Sequence, residues 1–461
     1  MNCKSIICFI LLFCIKGIFA GPTKSSIGYE NPAIFELNVV FRKISHQNPW
    51  MTGEPFSRKT KSISLGKGLF FAITLSQQKP IYARFDALDF SSSKLQIESY
   101  DPESGFLLLR NPEPDRVPYQ VSLEEKKESE LCPNGKKRYV QLPFSKTFFR
   151  IILLEKKESE EPQFLISNGQ FCGILINEGL IPAEYIRFFL NLTGDMRFFP
   201  HPGILFDTNP TPSERSYYIP EGVSGILVSE VFPGIGPAYS LFPGDVLIAI
   251  GGKTLDKVPD WDKRDRVLDL ILRDEKGNLK KPGQSVSFRI YRNRRFLDVN
   301  YTLSGYQTKS FLIPEQADNM RPLYYIQGGF FFTELTGSYL KEFGEDYRYK
   351  SDKKLLFLLD FYPNKIHPLR EKIVILSRVF PMNGNTGYQD WQDLVLQTVN
   401  GDRISTLKQL KDKIETSNTK YFAFEFSGGK IAVFSRADLK TMEEELISSY
   451  KISKPQNIEE K

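Results

Sequence analysis

Histidine is scarce in this chain: three in 461 residues, His46, His201 and His367. Any mechanism that needs an imidazole base has to recruit one of them. Cysteine is nearly as sparse. Of five, Cys3, Cys8 and Cys14 fall in the first twenty residues, which leaves Cys132 and Cys172. No C-x-x-C pair and no His–Cys cluster is present, so no zinc or other metal site is expected. No G-x-x-x-x-G-K-[ST] run is present either, and no cofactor is expected. Strong charge of one sign is also missing. Lys and Arg number 61 against 55 Asp and Glu, a formal +6, which argues against a nucleic-acid partner.

Residues 1–20 read as a signal peptide: Lys4, an apolar run from Ile6 to Ile15, and a small residue at Ala20. Cleavage after Ala20 is the first reading. Lipidation at Cys14 and an uncleaved anchor are the alternatives. The apolar run is shorter than the ~20 residues a membrane helix needs, and no later segment reaches that length, so no transmembrane segment is expected after the leader. Export then implies the periplasm, with lipid anchoring or secretion as alternatives. One disulfide, Cys132–Cys172, is permitted in that setting, and two buried thiols are the other reading.

Aromatics make up 13% of the chain, mostly Phe and Tyr, as suits pleated, half-buried surfaces. Residues 21–196 read as short strands between turns: Phe35–Ile44, Gly68–Leu75, Phe106–Arg110, Phe148–Glu155 and Gln170–Ile176. The pattern predicts a β-barrel or sandwich. Two identical charged runs, 126–130 and 156–160, are expected at solvated loop tips.

The second half repeats. Val228-Ser229-Glu230-Val231-Phe232-Pro233 recurs as Leu376-Ser377-Arg378-Val379-Phe380-Pro381, and Asp245–Gly252 recurs as Asp393–Gly401. A helical pattern and a strand pair follow each copy. Two α/β modules therefore occupy 197–308 and 309–452, the second with an insertion near Ser338–Leu369. The tail 453–461 is polar and expected to be loose.

In the first copy, Gly225-Ile226-Leu227-Val228, Val231-Phe232-Pro233-Gly234 and Leu241-Phe242-Pro243-Gly244-Asp245-Val246-Leu247 resemble the PDZ pattern. That resemblance implies a carboxylate loop at Pro202–Phe206, with Gly203, Ile204 and Leu205, and a facing helix with Val267, Leu270 and Ile271. The spacing places those three helix residues on one face, and the bland reading is that this face packs on its own sheet. In the second copy Gly328-Gly329-Phe330-Phe331-Phe332 takes the loop place. Its groove is left open, filled by the insertion, or used in assembly.

A tandem of this kind behind a β-rich domain resembles the HtrA/Deg serine proteases, in the branch with a long second PDZ domain. Gly329–Leu340 and Ile373–Phe380 carry that likeness. The fold it implies is mainly β: a degenerate trypsin-like double β-barrel followed by two PDZ-type α/β modules. The family's catalysis needs a Ser nucleophile, a His base, an Asp that orients it, and oxyanion donors. Here Gln77 stands at the His position, Gly105 at the Asp position, and Ser159 at the Ser position among Glu158, Glu160 and Glu161. Asp101 lies four residues before Gly105. His46 and His201 fall off the family's base position and are expected to be surface or capping residues.

The resemblance implies an exported, non-catalytic protein whose partners are peptide or protein C-termini, captured through the first PDZ module. A homo-oligomer, a trimer by family resemblance, would raise avidity. The alternatives are a serine endopeptidase acting through Ser159, or a regulatory subunit of an active Deg protease.

Overall fold

Strict alternation in Ile34–Arg42 puts Leu37, Val39 and Phe41 on one face, and all three are fully buried. This strand (β1) is the first among the described residues of a computed structural model. The model describes residues 33–51, 53–74, 76, 78–85, 94–113, 120–123, 136–142, 145–154, 161–167, 169–177, 179–194, 197–236, 240–255, 263–314, 321–364 and 370–458. With β2 (Pro55–Gly66), β3 (Leu69–Ile73), β4 (Tyr82–Phe85), β5 (Lys94–Tyr100) and β6 (Phe106–Arg110), β1 closes a barrel in the order β1-β2-β3-β6-β5-β4. A five-stranded sheet follows, ordered β7 (Lys137–Gln141), β8 (Phe148–Leu153), β11 (Gly179–Pro182), β10 (Gln170–Ile176), β9 (Gln163–Ser167), and then helix α1 (Glu184–Leu190).

Strands β3 and β6 are nearly continuous apolar runs because both faces are covered. Phe70, Ala72, Leu107 and Leu109 fill the barrel interior. Phe71, Ile73, Phe106 and Leu108 pack outward with Phe149, Phe171, Ile174 and Phe189 of the second sheet and α1. One sheet thus serves two cores, which welds the two halves of the protease-like domain together.

Module 1 contains β12 (Pro200–His201), β13 (Ile204–Asp207), α2 (Pro212–Tyr218), β14 (Ile226–Val231), β15 (Val246–Ile250), β16 (Lys253–Thr254), α3 (Lys263–Leu272), β17 (Ser285–Arg292), β18 (Arg295–Thr302) and β19 (Ser304–Gly305). Its main sheet runs β13-β14-β15-β17-β18. Module 2 contains β20 (Tyr324–Gln327), β21 (Phe330–Glu334), the inserted helices α4 (Gly337–Lys341), α5 (Tyr347–Lys350) and α6 (Lys353–Phe361), then β22 (Val374–Val379), β23 (Leu394–Val399), β24 (Asp402–Arg403), α7 (Leu407–Thr416), β25 (Tyr421–Phe426), β26 (Ile431–Ser435), α8 (Arg436–Tyr450) and β27 (Gln456–Asn457). The expected architecture is present, and so is the internal repeat. The N–H of Phe232 donates to Gly203 O at 2.9 Å, and its counterpart Phe380 donates to Gly329 O at 2.7 Å. Both glycines hold positive φ, 69° and 77°.

The tail corrects the sequence reading. Residues 456–457 form β27 and pair with β20, and Asn457 Nδ2 donates to the carbonyls of Arg321 and Pro322. Polar side chains hid this strand because its contribution is made through the main chain.

Module 2 is also clasped by the β1–β2 loop of the first barrel. The Trp50 ring sits edge-on to Tyr324, Phe331 and Phe380 at 5.2–5.9 Å. The Arg378 guanidinium lies 5.4 Å from that ring and bonds Gln47 O and Asn48 Oδ1. Glu342 accepts from Ser45 Oγ and from the backbone N–H groups of His46 and Gln47. His46 is buried here rather than on the surface, and burial lowers its pKa although Glu342 opposes the shift. Among the described residues no helix is long and apolar enough to cross a membrane.

Candidate functional site

Described residues on either side of the positions that the resemblance implied lie between the two halves of the N-terminal domain. Thr74, at the end of β3, donates its N–H to Gly105 O at 2.8 Å. A cavity of about 400 Å³ beside it is lined by Ile73, Thr74, Arg58, Lys61, Glu161 and Pro162, among others. Pro162 and Glu161 directly follow the nucleophile segment. Gln77 and Ser159 themselves, with the charged runs, Cys132, His367 and residues 1–20, lie outside the described residues. Cys172 is buried in β10.

Of the three positions that the resemblance implied, Gly105 is the one among the described residues. Its φ is 70°, and a Cβ placed there would fall on the carbonyl oxygen of Thr74. No carboxylate can be mounted at this backbone position without moving β3 or the β5–β6 turn. Asp101, at the other end of that turn, is fully buried. Its carboxyl accepts from Ser104 Oγ at 2.6 Å and Glu103 N–H at 3.0 Å, so it closes its own hairpin. Burial lifts its pKa to about 7, while those hydrogen bonds pull the other way. Glu103 accepts from the Lys146 N–H at 2.7 Å, tying the turn to the second half of the domain.

In module 1, β13 is an outer strand of the sheet, and among the described residues no strand pairs with its free side. Ile204 is buried in the module core and Leu205 is 42% exposed. On α3, Val267 and Ile271 are fully buried with Leu268 and Leu272, and Leu270 is half-buried at the cluster's margin. The structure therefore brings all six residues into one module, with Leu205 at the accessible rim. The N–H of Gly203 is directed onto His201 Nδ1 at 2.9 Å.

The helix wall is engaged by the protease-like domain. Residues Asp265, Asp269 and Arg273 are spaced by four and form a stripe along α3. Tyr139 of β7 gives its N–H to Asp265 at 3.0 Å and its hydroxyl to Asp269 at 2.8 Å. Arg273 bonds Glu184 of α1 at 2.6 Å. Tyr139 and Phe148 belong to the same apolar cluster as Ile204 and Val267. Sequence reasoning missed this clamp. Its partners lie 89 to 130 residues away along the chain, beyond the reach of any local pattern.

His201 sits at the same junction, 2% exposed, among the rings of Phe148, Phe232 and Tyr306. It caps Gly203 and is not a surface residue. Burial, then the Lys146 charge, lower its pKa to about 3, and the Lys146 backbone opposes them. A base whose pKa falls on folding stabilises the fold above its unfolded value of 6.5 and loses that contribution as pH drops toward 3. The loss should reach roughly 2 kcal/mol at pH 5. Asp101 works in the opposite sense, favouring the fold as pH falls from about 7 toward 3.8. The informative measurement is therefore a difference. Denaturant stability of the parent minus that of His201→Gln should shrink between pH 7 and 5, and a constant difference would contradict the burial argument.

Module 2 resolves differently. Strand β20 pairs with β21 and β27 pairs with β20, so the edge equivalent to β13 is already extended by the chain's own strands. The occupant is the strand preceding Gly328, not the insertion. Phe330, Phe331 and Phe332 are fully buried there.

Residues 313–458 match the family model described as a PDZ domain (PDZ_3). Among curated proteins, the chain is similar to three Do-like proteases of Arabidopsis thaliana. It is 28% identical to the mitochondrial Do-like 12 over 229 residues, covering 50% of this chain and 39% of that one. It is 24% identical to the mitochondrial Do-like 11, covering 62% and 47%, and 26% identical to the chloroplastic protease Do-like 2, covering 56% and 41%. The chain thus spans less than half the length of these relatives. Among solved structures, it is similar to the HtrA-type protease AlgW with decapeptide, at 14% identity and TM-score 0.37, covering 60% of this chain and 96% of that one. A serine endoprotease from Yersinia pestis gives 12% identity and TM-score 0.34, covering 60% and 95%. Residues 313–458 are thus a PDZ domain, and the Do-like relatives, together with a barrel domain followed by a repeated module, support placing this chain with the HtrA/Deg proteases.

Proposed function

We propose that this chain is an exported, non-catalytic HtrA/Deg-type protein that captures peptide or protein C-termini by strand addition to β13 of module 1. The observation that carries the reading is Gly105. The position that would orient a base has no room for a side chain, and nearby Asp101 spends both carboxyl oxygens on its own turn. Further support comes from the two modules' edges: β21 is paired internally, whereas the free side of β13 meets no described strand. An arriving peptide adds main-chain hydrogen bonds along β13 and places its side chains toward Leu205. Its carboxylate competes with His201 for the Gly203 N–H. Capture is therefore coupled to the clamp between module 1 and the protease-like domain.

The test is fluorescence anisotropy on the full chain. The probe is a short labelled peptide with an apolar C-terminal residue, compared with its C-terminal amide. A micromolar dissociation constant is expected, about −8 kcal/mol. Amidation and Leu205→Glu should each weaken it about tenfold. Equal binding of acid and amide, or no effect of Leu205→Glu, would overturn the β13 assignment. The alternative, an endopeptidase acting through Ser159, predicts casein cleavage that Ser159→Ala abolishes.

A further inference from the structure

The sheet of module 1 ends on β13 at one side and on β18 at the other. The β17–β18 hairpin turns on Asn293 and Arg294, with φ of 49° and 63°, a two-residue loop of the kind that locks strand register. Pairing runs from Arg292↔Arg295 to Ser285↔Thr302. Hydrogen-bonded pairs alternate from the loop outward, so Phe296, Asp298 and Asn300 turn their N–H and C=O groups away from β17. Among the described residues no strand pairs with that side of β18.

The side chains there are unlike an ordinary solvent face. Phe296 is 48% and Leu297 38% exposed. The Phe296 ring packs on Tyr291 at 5.2 Å, with the Arg289 guanidinium 5.8 Å from its centre. Exposed Arg289, Arg294 and Arg295 stand against one carboxylate on the strand, Asp298, and Arg292 is already held by Asp245 at 2.6 Å. Exposed aromatic and arginine side chains together are the composition of interface hot spots. Module 2 provides the internal comparison. On its equivalent strand β26, the outward N–H of Val433 is taken by the Tyr388 hydroxyl.

We propose that the β18 edge of module 1 is a docking site for an extended acidic segment of a partner protein, which adds as a strand and sets its carboxylates against Arg294 and Arg295, while its aliphatic side chains lie on the face of Phe296, where Arg289 is opposite Asp298. An unpaired edge supplies main-chain hydrogen bonds but little selectivity. The arginines supply the selectivity: they repel cationic strands and favour one that alternates acidic with aliphatic residues. This surface lies across the sheet from β13 and does not depend on capture of C-termini.

The probe is a short labelled peptide alternating glutamate and valine, with a lysine–valine peptide as control, titrated into the full chain. The glutamate peptide should bind, weaken as salt rises, and slow amide exchange at Phe296, Asp298 and Asn300. Arg294→Glu with Arg295→Glu should weaken it about tenfold, whereas Leu205→Glu leaves it unchanged. Circular dichroism checks that the double variant keeps its fold. Equal binding of both peptides, an unaffected double variant, or sensitivity to Leu205→Glu would overturn the proposal. So would self-association of the parent that the double variant removes without any peptide binding, since the edge would then belong to a second copy.

Discussion

Restoring aspartate at position 105 is expected to unfold the N-terminal domain rather than to build a catalytic carboxylate. Gly105 gives its N–H to Asp101 O at 2.9 Å and receives the Thr74 N–H at 2.8 Å, so its backbone is pinned on both sides. A left-handed backbone costs a residue with a Cβ ~1–2 kcal/mol. The clash with Thr74 adds more, because a main-chain oxygen cannot step aside by changing rotamer. A total above about 4 kcal/mol is a large part of an ordinary domain's stability. Urea unfolding of Gly105→Ala and Gly105→Asp should show similar losses, since the Cβ and not the charge is responsible. An aspartate variant as stable as the parent would mean that this position can hold the family's acid after all.

Removing Arg273 should have a comparable effect at the other junction. Its side chain is only 5% exposed and touches both domains: Glu184 at 2.6 and 3.2 Å, the Tyr139 hydroxyl at 3.3 Å, and the Gly277 carbonyl at 2.6 Å. Its ion-pair and hydrogen-bond partners hold its pKa above the ordinary arginine value despite burial, and burial pushes Tyr185 up to about 12. Arg273→Ala removes the guanidinium 2.6 Å from Glu184 and leaves Asp269 with Arg150 at 3.5 Å, and breaking a buried pair from one side costs ~3–5 kcal/mol. The loss should be local. Amide exchange is expected to accelerate in β7 and α3 and to stay unchanged in module 2, whose clasp is built on Trp50 and Arg378. Arg273→Lys should recover only part of the stability, because a point charge cannot serve Glu184 and Tyr139 together. Uniform acceleration across both modules would contradict a clamp confined to module 1.

Local signals were legible in the sequence and long-range ones were not. The V-F-P repeat located the two modules, and it is the Phe232 and Phe380 N–H groups that bind the loop glycines. Apolar runs marked β3 and β6 as strands, but that both faces of each are buried emerged only from the structure. Scarcity of histidine directed attention to His46 and His201, yet their burial at two domain junctions involves Glu342 for the one and the rings of Phe148, Phe232 and Tyr306 for the other, which no local pattern connects to them. The self-pairing of module 2 was hidden for a different reason. Strands β20 and β27 are joined through main-chain groups, and residues 456–457 carry no hydrophobic alternation. On α3, the apolar residues Val267 and Ile271 face their own core, and the neighbouring Asp265 and Asp269 make the cross-domain contacts.

The most direct measurement is labelling of the purified full chain with a fluorophosphonate, followed by mass spectrometry of the peptide containing Ser159. A hydroxyl with no oriented base remains a weak nucleophile, so parent and Ser159→Ala should be equally unlabelled. A stoichiometric adduct on Ser159, abolished in Ser159→Ala, would contradict the account.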